Sequence, residues 1–312
     1  MSLTAASGKV VAYRLMSAPQ KMGPHRIVRR LGHGGVAEVF LATAFGASGF
    51  ERLVALKVLL PEHRGEAALE KALIEEGRLG GLLAHPNFVS VHDVGVDEGA
   101  YWLRMDYVDG ADLGTVLGKG KLPAAEALFI AGELAKGLAF LHALCDARGR
   151  PLGLVHRDVS PSNILISRFG EVKLADLGIA KATLLQGTTR GNVKKGKYAY
   201  MSPEQVSGRA LTGASDQFAL GITLFQMLTG QRPFDGETPM ETMDRIREAA
   251  PPRLDGVEAD VKAIVLRCLA KAPADRFPDA TALARAVVKV GGYDFQAAER
   301  LAKRSATASC AR

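Results

Sequence analysis

The sequence has few cysteines and lacks a long apolar run. Its three cysteines, Cys145, Cys268 and Cys310, form no CxxC or Cys/His pattern, so neither a disulfide framework nor a zinc site is indicated. The most apolar stretch, around Phe218–Leu228, is interrupted by Gln226 and is shorter than the roughly 20 apolar residues that cross a bilayer. The sequence therefore predicts no membrane anchor.

A secretory leader pattern is also missing. The first residues do not show a basic flank, an apolar run and a small-residue cleavage site in that order, which together mark a signal peptide. We therefore expect a cytoplasmic protein in which residues 1–23 form an N-terminal extension.

Charge of one sign is only modestly in excess. Forty lysines and arginines face 33 aspartates and glutamates, which gives a formal net charge of +7. The basic residues are spread along the chain and are not interleaved with aromatics in one stripe, the arrangement expected of a nucleic-acid-binding surface. We therefore expect a solvated basic surface and no nucleic-acid partner, while no oligomeric state is indicated.

What is present is a change of pattern along the chain. Short β-branched and apolar runs divided by glycines extend from Pro24 to Leu60. Beyond Pro123 helical spacing dominates, because apolar residues recur on one face of a helix. Those residues are Leu128, Ala131, Ala135, Leu138 and Leu141. The sequence therefore predicts an α+β chain with two lobes.

The boundary between the lobes is predicted near residue 106. Tyr101–Val108 has the composition of a strand, and Asp109-Gly110 breaks it before the helical region starts. We therefore expect a small lobe over residues 24–105, a hinge over 106–111 and a helical lobe over 112–290. Residues 291–312 are expected to form a disordered C-terminal tail.

A glycine-rich turn lies between the first two predicted strands. Gly32, Gly34 and Gly35 fall within residues 31–39, where missing Cβ atoms would let backbone amides approach a polyphosphate. Such clusters are more often plain hairpin turns, but the next strand favours the phosphate interpretation. There the strand period of two puts Ala55 and Lys57 on one face, a small residue beneath a planar base and an ammonium beyond it.

The strongest pattern is the segment His156–Asn163 followed by the triplet Asp176-Leu177-Gly178. Phosphoryl transfer needs a carboxylate to orient and deprotonate a hydroxyl, and oxygen ligands to hold Mg²⁺ against the phosphates. Asp158, Asn163 and Asp176 supply this set. Each alone would be interpreted as a turn cap, but their joint order and spacing predict phosphoryl transfer.

Over roughly residues 24–290 these motifs resemble the eukaryotic-like protein kinase family, in particular its bacterial serine/threonine branch. The resemblance implies the two-lobed protein kinase fold, with a small β-rich lobe, a larger helical lobe and a nucleotide cleft between them. It also implies ATP and Mg²⁺ as cofactors, protein substrates, and transfer of the γ-phosphoryl group to serine or threonine hydroxyls.

The resemblance further implies the residues of the nucleotide site. Lys57 is expected to bind the α- and β-phosphates, and Glu76, or Glu75 in the alternative register, to pair with it. The complete set of expected nucleotide-site residues is Leu31, Gly32, Gly34, Val39, Ala55, Lys57, Glu76, the gatekeeper Met105, the hinge residues Asp106 and Val108, Asp112 at the ribose, and Leu165.

Catalytic and supporting roles follow from the same resemblance. Asp158 corresponds to the catalytic base, and Asn163 and Asp176 correspond to the metal ligands. Three further residues are expected to support the site: Glu204 in Ser202-Pro203-Glu204 at the end of the activation segment, its partner Arg276, and Asp216 beneath the catalytic loop.

Several positions depart from the family pattern. Ser160 stands where serine/threonine kinases usually carry a lysine that contacts the γ-phosphate, and Lys197 replaces a threonine beside Asp158. We therefore hypothesise that Lys197 is a catalytic residue that supplies the missing cation. Gly80 leaves a gap four residues after Glu76, where a bulky apolar residue is usual, so this helix is expected to be loosely held.

The sequence is thus interpreted as an active protein kinase. Autophosphorylation is expected in the activation segment at Thr188 or Thr189, with Thr183 as a further candidate and Arg157 as the partner of the phosphate. Two alternatives stay open. The departures at Ser160 and Lys197 motivate a nucleotide-binding pseudokinase scaffold, and a small-molecule phosphotransferase is disfavoured by the Ser202-Pro203-Glu204 motif.

Overall fold

The computed structural model describes residues 21–178, 197–291 and 294–309. Its strands are β1 (Lys21–Met22), β2 (His25–His33), β3 (Ala37–Phe45), β4 (Glu51–Leu59), β5 (Val91–Asp97), β6 (Ala100–Asp106), β7 (Gly110–Asp112), β8 (Ile164–Ser167) and β9 (Val172–Leu174). Its α-helices are α1 (Ala67–Gly80), α2 (Leu113–Leu117), α3 (Ala124–His142), α4 (Pro203–Val206), α5 (Gly213–Thr229), α6 (Pro239–Glu248), α7 (Ala259–Cys268), α8 (Ala280–Gly291) and α9 (Phe295–Ser309). None of these helices combines the length and the apolarity that crossing a membrane requires.

The first six strands form one antiparallel sheet in the order β1-β2-β3-β4-β6-β5. The glycine-rich segment forms the turn between β2 and β3, which the amide of Gly34 closes by donating to the carbonyl of Ala37 at 2.8 Å. Lys21 and Met22 pair with β2 in this sheet. The N-terminal extension is therefore shorter than the expected residues 1–23.

The helical lobe is built around α3 and α5. The face of α3 predicted from the sequence is buried throughout, and both helices belong to one continuous apolar core. The side chain of Thr212 caps the start of α5, and Gly230 ends it with a φ of 79°, a left-handed conformation that glycine adopts without strain. The expected α+β architecture with two lobes is confirmed.

A small three-stranded sheet, β7-β8-β9, is hydrogen-bonded to the segment that follows α1. The side-chain amide of Asn87 donates to the carbonyl of Val172 at 2.9 Å. The backbone of Asn87 also accepts from the amide of Leu174 at 2.8 Å, and the amide of Val89 donates back to Leu174 at 3.0 Å. The chain that leaves α1 is thus anchored to β9 before it enters β5.

Helix α1 lies very close to the large sheet because two of its residues are glycines. A Cβ atom at Gly77 would lie 2.2 Å from Cγ2 of Val94, and one at Gly80 would lie 2.4 Å from Cγ2 of Val91. Separations this short are sterically excluded, so any larger residue would push α1 away from β5. The two glycines therefore set the distance between helix and sheet.

The expected gap is present as a small cavity lined by Gly80, Glu76 and Leu177, but the structure does not hold the helix loosely. Val91 of β5 packs directly against Gly80, where a Cβ atom would lie 2.4 Å from it. The sequence pattern missed this because the contact joins two elements that are distant along the chain. The close packing holds Glu76, with its side chain 3% exposed, where its Oε1 atom lies 2.6 Å from Nζ of Lys57 on β4.

A buried ion pair fixes the start of α4 against the helical lobe. Arg276, with no exposed side chain, donates to both carboxylate oxygens of Glu204 at 2.7 and 3.0 Å. Ser215 on α5 donates to the same carboxylate at 2.7 Å. Burial alone would raise the pKa of Glu204, but the bonds from Arg276 outweigh it and hold that pKa below its usual value. The pairing expected from the sequence is confirmed.

The C-terminal segment is not disordered as expected, because residues 295–309 form α9. Four of its side chains are completely buried on one face: Ala297, Leu301, Ser305 and Ala308. Their spacing of three and four residues is that of an amphipathic helix. Three of the four are small, so the composition did not indicate a core-facing helix. Residues 310–312 lie outside the described ranges.

The Glu204–Arg276 pair generates the first prediction. Removing one partner of a buried ion pair leaves an uncompensated charge and costs about 3–5 kcal/mol. We expect Arg276→Met to lower the free energy of unfolding by this amount in urea denaturation, and the double variant with Glu204→Leu to recover part of the loss. Arg253→Met is the control, because Arg253 is exposed. A loss below about 1 kcal/mol in Arg276→Met would contradict the structural role.

The approach of α1 to the sheet generates the second prediction. Gly80→Leu overpacks the contact with Val91, and we expect it to lower the free energy of unfolding by about 1–3 kcal/mol. Val91→Ala makes room, so its effect is expected to be favourable, or much less unfavourable, in the Gly80→Leu background. Gly81→Ala serves as the control, since a Cβ there meets atoms only at 3.5 Å. Additive effects of the two substitutions in a urea-denaturation cycle would argue against the contact.

Candidate active site

A cavity of about 660 Å³ lies between the large sheet and the β7-β8-β9 sheet. Most of the expected nucleotide-site residues line it. The large sheet and the segment that follows β6 contribute Leu31, Gly32, Val39, Ala55, Met105, Asp106 and Val108, and the helical lobe contributes Asp112 and Leu165. Gly34, Lys57 and Glu76 are not among the residues that line this cavity.

Lys57 joins elements of both lobes and contacts Asp176, which lines the cavity. Its Nζ atom lies 2.6 Å from Glu76 Oε1 on α1 and 3.0 Å from Asp176 Oδ1 beyond β9. The structure thus selects Glu76 from the two registers left open by the sequence. Glu75 is exposed and lies 3.6 Å from Arg78.

The charges around Lys57 reinforce one another. Burial alone would lower the pKa of Lys57, but the carboxylates of Asp176 and Glu76 outweigh it and hold that pKa above its usual value. Burial raises the pKa of Glu76 to about 7, and Lys57 opposes this shift. The site therefore holds a permanent cation, which can contact an anionic ligand that enters from the cavity.

The loop over residues 156–163, expected to be the catalytic loop, is held in place by Asp216 on α5. Its Oδ2 atom accepts from the amide of His156 and from Nε2 of His142, both at 2.8 Å, and its Oδ1 atom accepts from the amide of Arg157 at 2.9 Å. Arg157 has a φ of 69°, which a residue with a Cβ adopts only at a cost. The bonds to Asp216 stabilise this conformation, as the resemblance implied.

Asn163 and Asp176 line the cavity, and the backbone of Asp158 is bonded to Asn163. The side-chain amide of Asn163 donates to the backbone carbonyl of Asp158 at 2.9 Å, and the carbonyl of Asn163 accepts from the amide of Ala175 at 2.8 Å. These hydrogen bonds thus connect the loop that carries Asp158 and Asn163 to the residues after β9 that carry Asp176.

The donor set suits Mg²⁺ only together with a ligand. Asn163 and Asp176 offer an amide oxygen and a carboxylate, which are hard donors of the kind that Mg²⁺ prefers. Among the described residues no cluster of three or more His, Cys, Asp or Glu side chains could hold a metal ion. A Mg²⁺ ion here would complete its coordination with water and phosphate oxygens, as is usual in nucleotide-dependent enzymes.

Two expected contacts are already engaged within the protein. The carboxylate of Asp106 lies 2.7 Å from both Arg52 and His92, and its backbone amide donates to the carbonyl of Ser90 at 2.9 Å. Both carboxylate oxygens of Asp112 accept from Thr115 at the start of α2, at 2.8 and 2.7 Å. A ribose hydroxyl would share Asp112 with this helix cap.

The positions that depart from the family pattern are described in part. Ser160 is buried, and its Oγ atom lies 3.1 Å from Oγ of Ser162, which lines the cavity. Lys197 begins a 3₁₀ turn that runs to Tyr200, but its side chain lies outside the described part of the structure. Thr183, Thr188 and Thr189 also lie outside the described residues.

Sequence reasoning missed several residues that shape the cavity. Val89 and Ala175 add apolar surface, and Ser162 adds a hydroxyl. Ser309, the last residue of α9, also lines the cavity, although its segment was expected to be disordered. Ser309 reaches the cavity because α9 packs closely on the strands. No local pattern in the sequence indicates that packing.

Comparisons with known proteins agree with this geometry. The family model described as protein kinase domain matches residues 25–288. The chain is 40% identical over 277 residues to tyrosine-protein kinase MasK of Myxococcus xanthus, covering 86% of this chain and 43% of that protein. It is 35% identical over 263 residues to serine/threonine-protein kinase PrkC of Bacillus subtilis, covering 83% of this chain and 39% of that protein.

A solved structure is similar as well. The kinase domain of Mycobacterium tuberculosis PknI matches with a TM-score of 0.63 and 30% sequence identity, covering 86% of this chain and 96% of that chain. The chain spans less than half the length of the two curated relatives. The cavity, the paired lysine and these matches together show that the chain belongs to the protein kinase family.

Proposed function

We propose that this chain is an ATP- and Mg²⁺-dependent protein kinase that transfers the γ-phosphoryl group to serine or threonine hydroxyls of proteins. The observation that carries the proposal is the position of Lys57, whose Nζ atom contacts Glu76 and also Asp176, which lines the cavity. A base bound in the apolar part of the cavity would direct its phosphates toward this cation. The same proposal includes a cytoplasmic location and no nucleic-acid partner.

Binding of the triphosphate would use charge from the protein and from the metal. Lys57 would contact the α- and β-phosphates, and Asn163 and Asp176 would hold Mg²⁺. The metal would supply positive charge that neutralises the phosphates. The backbone of the glycine-rich turn, which includes Gly32 and Gly34, covers the phosphates from above.

Transfer itself needs an oriented hydroxyl. Asp158 accepts the proton of the incoming hydroxyl. At the same time the oxygen of that hydroxyl bonds to the γ-phosphorus, and the bond between the γ-phosphorus and the β–γ bridging oxygen breaks. Asn163 holds the Asp158 backbone through the 2.9 Å hydrogen bond. Asp216 holds the same loop through the amides of His156 and Arg157. The loop therefore reaches the substrate already oriented.

Tyrosine is a specific alternative to serine and threonine as the residue that accepts the phosphoryl group. PrkC and Mycobacterium tuberculosis PknJ are named serine/threonine kinases, which favours serine and threonine. MasK, with 40% identity, is named a tyrosine-protein kinase, and Ser160 lacks the lysine usual in the serine/threonine group. Labelling a mixed protein substrate with γ-³²P ATP, followed by phosphoamino acid analysis, distinguishes serine/threonine from tyrosine phosphorylation. Predominant phosphotyrosine would overturn the serine/threonine assignment.

A pseudokinase scaffold is not favoured over a kinase. The expected lysine, base and metal ligands are all present as Lys57, Asp158, Asn163 and Asp176. Lys57 bonds to Glu76 and Asp176, and Asn163 bonds to the backbone of Asp158. The proposal includes autophosphorylation of the activation segment at Thr188 or Thr189. Mass spectrometry of the chain after incubation with ATP and Mg²⁺ tests that part.

The third prediction separates binding from chemistry. Asp158→Asn is expected to lower kcat by about 10²–10⁴-fold, the usual contribution of a general base, and to leave the affinity for ATP unchanged. Asp176→Asn and Lys57→Met are expected to abolish transfer and to weaken Mg²⁺-dependent nucleotide binding. Calorimetric titration and initial rates measure both effects, with exposed Asp255→Asn as control. Activity near that of the wild type in Asp158→Asn would exclude the kinase assignment.

The fourth prediction concerns Lys197. Removing one preorganised donor from an active site costs about 10²–10³-fold in rate. If Lys197 supplies the cation that Ser160 does not, Lys197→Thr lowers kcat by about 10²-fold, and adding Ser160→Lys recovers much of the loss. Initial rates of the four proteins at saturating ATP measure this. A kcat for Lys197→Thr within a fewfold of wild type would show that Lys197 is a solvated loop residue.

A further inference from the structure

Helix α9 packs on the strands that form the floor of the cavity. Its buried face, which carries Ala297, Leu301, Ser305 and Ala308, contacts β7, β8, α2 and α3. None of the expected nucleotide, metal or catalytic residues lies on this helix. Its C-terminal residue, Ser309, nevertheless lines the cavity beside Gly110, Ala111 and Asp112 of β7. The end of α9 is therefore part of the cavity wall.

A single hydroxyl connects α9 to both strands. Ala111 and Ile166 are opposite each other in the β7–β8 pair. Ser305 Oγ accepts from the amide of Ala111 at 2.9 Å and donates to the carbonyl of Ile166 at 2.6 Å. Because Ser305 is completely buried, no water is available to replace these bonds if the hydroxyl is removed.

Two glycines permit this close approach. A Cβ atom at Gly110 would lie 2.8 Å from Ser305 Oγ and 2.0 Å from the carbonyl oxygen of Ile166. A Cβ atom at Gly170, in the turn between β8 and β9, would lie 2.2 Å from the carbonyl oxygen of Ala298. The backbone at Gly110 thus meets the Ser305 side chain of α9, and the backbone at Gly170 meets the backbone of Ala298. Movement of α9 would alter the position of β7.

Charged groups fix the orientation of α9 along its length. Glu126 on α3 is 1% exposed, and its two carboxylate oxygens lie 3.2 Å from Arg300 and 2.7 Å from Arg304. At the other end, Nζ of Lys119 donates to the carbonyl of Thr307 at 2.7 Å. A cation at the C-terminal carbonyls also complements the helix dipole. Removing these partners would favour release of α9.

We propose that α9 is a positioning element for nucleotide binding, with Ser305 as the residue that transmits its position to β7. The inference rests on the proposed function, in that the cavity is taken to bind ATP. Docked α9 holds β7, and with it Ala111 and Asp112, in the conformation that forms the base and ribose side of the cavity. Nucleotide binding and docking of α9 therefore stabilise each other.

The coupling has a reciprocal consequence. Any change that releases α9 weakens nucleotide binding, and by linkage bound nucleotide must favour the docked helix by the same factor. Coupling between two sites is typically about 5–150-fold, so an effect of about tenfold is expected. Phosphoryl transfer at saturating ATP uses Lys57, Asp158 and Asp176, none of which lies on α9.

The test uses the full chain and a nonhydrolysable ATP analogue with Mg²⁺. Ser305→Ala is expected to raise the Kd for the analogue, and the KM for ATP, by about tenfold and to leave kcat within about twofold. Lys303→Ala is the matched control, because Lys303 is exposed on the opposite face of α9. A change confined to kcat would contradict a positioning role.

A second variant keeps the test decisive if Ser305→Ala disturbs folding. Arg304→Ala leaves Glu126 with one partner and is expected to raise Kd in the same direction. Adding Glu126→Gln also removes the remaining ion pair with Arg300 and is expected to raise Kd further. Hydrogen exchange of residues 295–309 supplies an independent measurement, since the bound analogue should slow their exchange about tenfold in the wild type.

The outcomes distinguish this inference from the proposed function. If the wild-type chain binds no nucleotide, both fail. If the wild type binds the analogue but Ser305→Ala and Arg304→Ala bind it within twofold of the wild type, only the role of α9 is overturned. Exchange in α9 that does not respond to the analogue would overturn it as well.

Discussion

A largely buried ammonium is the interaction on which the site depends. Lys57 of the large sheet pairs with Glu76 of α1 and with Asp176 of the helical lobe. Two carboxylates around one cation in a dry place are favourable only when all three are held together, because an unpaired buried charge is costly. The two contacts of Lys57, with Glu76 and with Asp176, therefore link the distance between α1 and the sheet to the conformation of the loop that carries Asp176. A ligand with phosphate groups would add further negative charge at the same point.

The surrounding packing keeps this group in place. Gly77 and Gly80 let α1 approach β5 closely, and Asn87 fastens the chain that leaves α1 to β9. On the other side, Arg157 and Asp176 have positive φ values of 69° and 57°, and backbone strain of this kind persists only where neighbouring bonds hold it. Asp216 supplies such bonds for the catalytic loop. The site is thus assembled from close contacts and strained loops that support one another.

The sequence predicted the parts whose chemistry is local. The strand period placed Ala55 and Lys57 on one face, the helical period identified the buried face of α3, and the loop motifs located Asp158, Asn163 and Asp176. Apart from the pairs that the family resemblance implied, such as Glu204 with Arg276, it did not predict contacts between distant elements. Val91 packs against Gly80, which no local pattern reveals, and the small side chains of α9 looked like a solvated tail because their partners, Gly110 and Gly170, are far away in the chain. Glu76 could be chosen over Glu75 only when α1 was seen against the sheet.

The central claim is that Lys57 couples Glu76 and Asp176 across the cleft, and a double-mutant cycle measures it directly. The free energies of unfolding of the nucleotide-free wild type, Glu76→Gln, Asp176→Asn and the double variant give the interaction energy between the two carboxylates. Groups that share a partner typically deviate from additivity by about 0.5–3 kcal/mol. The account predicts an interaction energy of about 1 kcal/mol or more that changes when the cycle is repeated in Lys57→Met, where only the repulsion between the two carboxylates remains. Additivity within about 0.5 kcal/mol in the chain that retains Lys57 would contradict it.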